Sequence, residues 1–278
     1  MASFAIKTPP QHGTWSEFLD VWRAADDIDV FTTGWIFDHF YPLIGDTHGP
    51  CLESWVMLSA LAQATSRLRI GSMVNGMHYR HPAVTANMAA TLDIVSGGRL
   101  DLGLGAGWNE EESNAYGIEL GNVKDRLDRF EEGVEVIARL LSDEVTTFAG
   151  RFFKLTDARC EPKGPQRPHP PIIVGGNGRR RTLRIAAKWA QGWDAGFPAD
   201  VASWLSLRDT LYEHCGALGR DPSTIRTSMH LAWTTESDSA TLAARAHEFV
   251  TAGVDQVIFA MRPPYGTAMI EQLARELS

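Results

Sequence analysis

The sequence predicts an α/β fold, a (β/α)8 barrel carrying a short β-hairpin insertion. Three observations predict it. Short apolar runs alternate eight times with stretches of helical period, the pattern of a parallel sheet whose strands are joined through helices. A length of 278 residues suits one such barrel. One segment, about 144–162, breaks the alternation and reads as a hairpin. The chain is therefore expected to form a single domain, 1–278, with that hairpin outside the repeat. An open, doubly wound sheet is the structural alternative.

Each element has its own signal. Ser3–Lys7 reads as a first strand, and Thr14-x-x-Glu17 as a capping box opening a helix to about residue 28. A second strand, about 31–37, ends at Asp38-His39, and a helix follows over about 53–65. The third strand runs from Leu68 to Val74. Pro82 suits a helix's first turn, Val84, Met88, Leu92 and Val95 form its apolar stripe, and Gly97-Gly98 stops it. In the fourth strand Leu100, Leu102 and Leu104 alternate with Asp101, Gly103 and Gly105. Val123, Leu127, Phe130, Val134, Ile137 and Leu141 give the clearest helical stripe in the chain. Thr146–Phe148 and Phe152–Leu155 flank Ala149-Gly150-Arg151, the hairpin, and a proline-rich linker runs from Glu161 to Pro171. A fifth strand, Ile172–Val174, precedes a helix from about 179. A sixth lies near Trp193–Ala195, with Asp200 capping its helix. The seventh, about 225–233, leads into a helix over about 238–251, and the eighth, Gln256–Ala260, into the last helix.

Composition excludes several functions. The net charge is −8 and the longest basic cluster is Arg179–Arg181, so a nucleic-acid partner is not expected. Cys51, Cys160 and Cys215 are odd in number, widely spaced and without a CxxC, which predicts reduced thiols and a cytoplasmic location. The N-terminal residues lack a signal-peptide pattern, and no apolar run is long enough for a membrane span. There is no GxSxG elbow and no P-loop.

In a barrel of this kind the active site lies at the C-terminal ends of the strands. Gly175-Gly176-Asn177-Gly178 leads from a strand into a helix, where free backbone N–H groups suit a phosphate, and Arg179 adds charge; a plain βα turn is the alternative. Gly103, Gly105 and Gly107 would keep a strand end open to a flat ring, since a lone glycine run without an early βαβ context is a weak dinucleotide fingerprint. His39 could serve as acid, base or hydrogen-bond donor, or be structural. His78 and His81 form an HxxH pair without a third ligand, so no metal site is expected. Arg226, Ser228 and His230 share one strand face, lining a pocket or satisfying a polar interior.

Several segments together resemble the luciferase-like monooxygenase superfamily, and within it the actinobacterial branch dependent on the deazaflavin coenzyme F420. They are Trp35-Ile36-Phe37-Asp38-His39, HPAVTANMAATLDIVSGGRLDLGLGAGWNEEE, Tyr116-Gly117-Ile118, Phe148–Phe153, RPHPPIIVGGNGRRRTLRIAAKWAQGWD and AGVDQVIF. The resemblance covers nearly the whole chain. It implies a ring cofactor at the strand ends: coenzyme F420, with FMN as the alternative. Asp38 and His39 match positions that contact the deazaflavin. Ser72, Met73 and Val74 match a strand end that often carries a bulge and a non-proline cis peptide. Gly107 and Trp108 match the wall after the fourth strand, and Gly175, Gly176, Asn177, Gly178 and Arg179 the phosphate-side loop. The activity implied is hydride transfer between the coenzyme and a small organic substrate, with His39 handling the accompanying proton. An FMN-dependent monooxygenase with a partner flavin reductase, and a non-catalytic flavin-binding protein, are the alternatives. A homodimer is also implied; Ala60, Ala62, Ala64, Ala86, Ala89 and Ala90 on two successive helices suit close packing in such a dimer, with simple packing on the barrel as the alternative.

Overall fold

Eight parallel strands close into a barrel in the computed structural model, which describes residues 2–278. In chain order the strands are β1 (Ser3–Lys7), β2 (Phe31–Ile36), β3 (Arg69–Ser72), its two-residue continuation β4 (Asn75–Gly76) and β5 (Leu100–Gly105). The hairpin strands β6 (Thr146–Ala149) and β7 (Lys154–Ala158) follow, then β8 (Ile172–Gly175), β9 (Gly192–Asp194), β10 (Arg226–Trp233) and β11 (Gln256–Met261). The hydrogen-bonded order is β3-β2-β1-β11-β10-β9-β8-β5, and β3 pairs with β5 to complete the ring. Closure leaves the barrel no open sheet edge.

Nine α-helices accompany the strands among the described residues: α1 (Trp15–Asp26), α2 (Ser54–Ala64), α3 (Pro82–Val95), α4 (Glu110–Ala115), α5 (Val123–Ser142), α6 (Thr182–Trp189), α7 (Val201–Ala217), α8 (Ser239–Thr251) and α9 (Thr267–Leu277). The predicted capping box opens α1: Glu17 N donates to Thr14 Oγ1 (3.3 Å) and Thr14 N to Glu17 Oε2 (2.7 Å). Asp200 caps α7 as expected. The hairpin lies outside the repeat, where Glu132 of α5 accepts hydrogen bonds from the backbone N–H groups of Arg151, Phe152 and Phe153. No helix among the described residues is long and apolar enough to cross a membrane.

Two apolar layers follow from strand alternation. Outward residues such as Ile6, Leu102 and Val257 pack beneath the helices in one large cluster. Ala5, Trp35, Met73, Ile173 and Ile258 fill the barrel interior. At the N-terminal end of the barrel, buried Asp101 accepts from Arg69 Nη2 (2.6 Å) and Arg226 Nη2 (2.7 Å). The buried carboxylate is thus doubly paired, as burial of a charge requires.

Two expectations are corrected and one element is added. The stripe Val84, Met88, Leu92, Val95 is not the buried face of α3: Val84 and Val95 are 52% and 40% exposed. Ala86, Ala89 and Ala90 face the barrel together with Leu92, because small residues let the helix lie close, while Val84 and Val95 turn outward. The helix expected from about 179 begins at Thr182. Helix α4 was not foreseen, since six mostly polar residues are too few to show a period.

Candidate active site

The chain is irregular where β3 ends. The Met73–Val74 peptide is cis, at the position where the family resemblance places such a bond. The Val74 side chain lies between β5 and β8. A Cβ on Gly105 would stand 2.5 Å from it and one on Gly175 2.7 Å, while one on Gly103 would stand 2.0 Å from Ser72 O. The glycines of the fourth strand therefore make room for the bulged end of the third. Of the glycines expected to keep the strand end open, Gly105 and Gly107 do line the cleft over the strand ends, whereas Gly103 only makes room for Ser72.

A cleft of about 510 Å3 opens over the strand ends, within the range of roughly 300–1,000 Å3 common to ligand sites. Met73, Val74, Gly107, Trp108 and the loop Gly175–Gly178 line it, so most of the residues singled out from sequence meet there. Asp38 and His39 line an adjoining chamber of about 190 Å3, which shares Lys7, Met73, Val74, Gly107 and Trp108 with the cleft. Ser72 is buried below the cleft, its hydroxyl without a partner among the described residues.

Arg179 is the exception. Its guanidinium donates to Ser206 O (2.8 Å), Ser206 Oγ (2.8 Å) and Thr210 Oγ1 (2.6 Å) on α7, and the residue is not part of the cleft wall. The turn before α6 sends this long side chain outward to waiting acceptors. Arg126, near the start of α5, lines the cleft in its place and makes no ion pair among the described residues.

His39 is held by residues that sequence reasoning missed. Its Nδ1 lies 2.7 Å from Glu112 Oε2. Glu112 comes from α4, is fully buried, and also accepts from the Tyr79 hydroxyl and from Phe40 N (2.6 Å). Burial disfavours its charge, but these hydrogen bonds, that of His39 foremost, hold its carboxyl below the ordinary range. With Nδ1 engaged, Nε2 is the ring nitrogen left for the chamber. Asp38 is locked in turn by Arg80, whose Nη1 and Nη2 donate to its two oxygens at 2.6 and 3.0 Å. His78 lies against Gly107, and burial lowers its pKa to about 4, so the ring is neutral. His81 caps α3.

A second polar group forms the floor. Lys7 donates to Met73 O (2.9 Å), and burial lowers its pKa to about 8 against the pull of Asp194. His230 Nε2 stands 3.2 Å from Asp194 Oδ1, yet neither ring nitrogen meets hydrogen-bond geometry. Arg226, Ser228 and His230 divide between the two roles foreseen: Arg226 pairs at the barrel's far end, Ser228 donates to Asp194 (2.8 Å), and His230 lines the cleft. A lysine in phase with inward-facing Ala5 was the signal in the sequence for this floor.

The luciferase-like monooxygenase family model matches residues 1–276. The chain belongs to the luciferase-like monooxygenase family. It is 32% identical over 226 residues to the F420-dependent hydroxymycolic acid dehydrogenase of Mycobacterium tuberculosis, covering 80% of this chain and 60% of that one. It is also 32% identical over 165 residues to the F420-dependent glucose-6-phosphate dehydrogenase of Amycolatopsis mediterranei, covering 59% of this chain and 47% of the relative. The chain thus spans about half to three-fifths of the length of these curated relatives. A solved F420-dependent secondary alcohol dehydrogenase, in complex with an F420-acetone adduct, superimposes with a TM-score of 0.88 over 100% of this chain and 99% of its own, at 18% identity. That likeness concerns the fold. As a luciferase-like barrel the chain brings its strand-end residues into one connected set of cavities.

Proposed function

We propose that this luciferase-like protein is an oxidoreductase that binds coenzyme F420 across the strand-end cleft and acts on a small organic substrate. The whole of 1–278 would work as one domain. The observation that carries the reading is the His39–Glu112 pair opening onto the same space as the glycine loop. The residues present fit such a cofactor. Met73, Val74 and Trp108 offer apolar walls to a planar ring, His230 offers unpartnered ring nitrogens to its polar edge, and Arg126 with the Gly175–Gly178 backbone suits an anionic tail. The curated relatives named for the same coenzyme point the same way.

The bound coenzyme supplies the hydride chemistry; the protein positions it and manages the proton. Glu112 fixes the His39 ring through Nδ1, so that Nε2 faces the substrate space and can give a proton to the substrate or take one from it. Asp38, held by Arg80, fixes the strand end beside His39. Arg126, Asn177 and Gly178 hold the anion, a role the sequence reading gave in part to Arg179.

The test is a titration of the purified protein with F420 and FMN side by side, read by fluorescence. Tight binding of F420 supports the reading. Binding of FMN alone would replace it with an FMN-dependent monooxygenase served by a flavin reductase, and binding of neither would refute both. A homodimer in the cytoplasm belongs to the same proposal. It is supported by an apolar groove of about 380 Å3 between α2 and α3, lined by Trp55, Val56, Met88, Leu92 and Val95.

A further inference from the structure

Beside the cleft lies a side chamber of about 200 Å3, smaller than most ligand sites. It shares Lys7 with both cavities already described, and Phe37 with the His39 chamber. Its walls are apolar: Phe37, Leu43, Ile44 and Phe197 surround it, and Ile44 and Phe197 are 41% and 60% exposed. Ala232, the one exposed residue within β10, faces it as well.

The charged groups on this wall are both cations. Lys7 is 9% exposed, and its ammonium has one acceptor among the described residues, Met73 O at 2.9 Å. An ammonium carries three donors, so two are left over. Asp194 acts on it through space but makes no ion pair with it. Arg262, exposed at the rim, makes no ion pair among the described residues either. No carboxylate lines the chamber among the described residues.

The acceptors of Gln11 and Pro9 on this wall are already engaged. Gln11 Oε1 accepts from Leu43 N (2.8 Å), and Pro9 O accepts from the Tyr265 hydroxyl (2.7 Å). A sugar would bring many hydroxyl groups against a mostly apolar wall, at the cost of their hydration. An apolar body with one anionic group satisfies the wall instead.

We propose that this side chamber is a binding site for a small apolar carboxylic acid in its ionised form. Lys7 holds the carboxylate at the inner wall, and Arg262 draws the anion in at the rim. Because Lys7 also borders the cofactor cleft, the carbon next to the carboxylate would be the one nearest the chemistry. That the occupant is the substrate rests on the cofactor reading above; that the chamber binds it does not.

The experiment is calorimetric titration of the protein with hexanoate, 1-hexanol and glucose 6-phosphate at pH 7, with F420 and FMN titrated in parallel. Hexanoate should bind at least tenfold more tightly than either competitor. Lys7→Met should weaken it about ten- to a hundredfold, the loss of one charge-assisted hydrogen bond. Arg262→Gln should weaken it several-fold. Ala232→Phe, at an exposed position, should block it while leaving the melting curve unchanged. Equal affinity for hexanol, preference for the sugar phosphate, or undiminished hexanoate binding by Ala232→Phe would each overturn the proposal. A protein that binds F420 but not hexanoate overturns it and leaves the cofactor reading standing. One that binds hexanoate through Lys7 but takes neither F420 nor FMN supports the chamber and overturns the cofactor reading.

Discussion

His39 Nδ1 and Glu112 Oε2 stand 2.7 Å apart, although 73 residues separate them in the chain. The contact decides the tautomer of His39. An ionised carboxylate accepts the proton on Nδ1, so Nε2 faces the cavity as an acceptor when the ring is neutral and as a donor when it is charged.

Glu112→Gln keeps the shape of this carboxylate and removes its charge. The turnover of the loaded enzyme is expected to fall about ten- to a hundredfold, less than the roughly 10²–10⁴-fold of losing the acid–base group itself, with KM little changed and the pH profile displaced. An unchanged pH profile would deny Glu112 its positioning role. Acid unfolding gives a second readout. Glu112 has a folded pKa below its ordinary 4.5, so its contribution to stability is present above about pH 4.5 and lost as pH falls through the lowered value. Wild type is expected to lose melting temperature more steeply than Glu112→Gln below that pH.

Arg126 and Arg179 exchange the roles suggested by their places in the sequence. Arg126→Ala is expected to weaken F420 about ten- to a hundredfold at fixed salt, as loss of a charge-assisted contact would. Arg179→Ala should leave affinity within about threefold and lower the melting temperature instead, because its bonds tie the α6 turn to α7. Equal affinity losses in the two variants would contradict this assignment.

Lys7 places a charge where burial opposes it. Its folded pKa of about 8 lies below the ordinary 10.5. The unfolded chain binds the proton more tightly, so the lysine penalises folding below pH 8, and the penalty fades as pH rises from 8 towards 10.5. At about 1.4 kcal/mol per pKa unit this amounts to roughly 3.5 kcal/mol at most at neutral pH. Lys7→Met is therefore expected to melt several degrees higher than wild type at pH 7, with the difference shrinking by pH 10. A gain that does not depend on pH would have another origin.

The groove between α2 and α3 exposes Val56 by 73%. If it is the dimer face, Val56→Glu together with Val95→Glu places four like charges at a two-fold contact and should convert a dimer to monomer at micromolar concentration. Light scattering reads the mass directly. A dimer that survives the double change would place the interface elsewhere.

Much of the barrel was legible because its signals are short-range. The Thr14–Glu17 box, the proline opening α3, the α5 stripe from Phe130 to Leu141 and the hairpin around Gly150 each lie within one element, and local sterics and hydrogen bonding enforce them. The α3 stripe misled because both of its faces are apolar. Periodicity then cannot say which face meets the barrel, and the alanines win by allowing closer approach.

The sequence by itself determined the order of strands and helices, and hence that the residues after each strand would gather at one end of the barrel. Tertiary structure decided which side chains turn into that space. Arg179 reaches α7 because Ser206 and Thr210 present acceptors there, which leaves Arg126 on the cleft wall. Glu112 meets His39 because barrel closure brings the turns after β2 and β5 together. Lys7 loses most of its hydration because the cavities that meet at it are bounded by other strands. Long side chains choose partners across the fold, and burial depends on everything that surrounds a residue; neither is encoded in the few positions on either side of it.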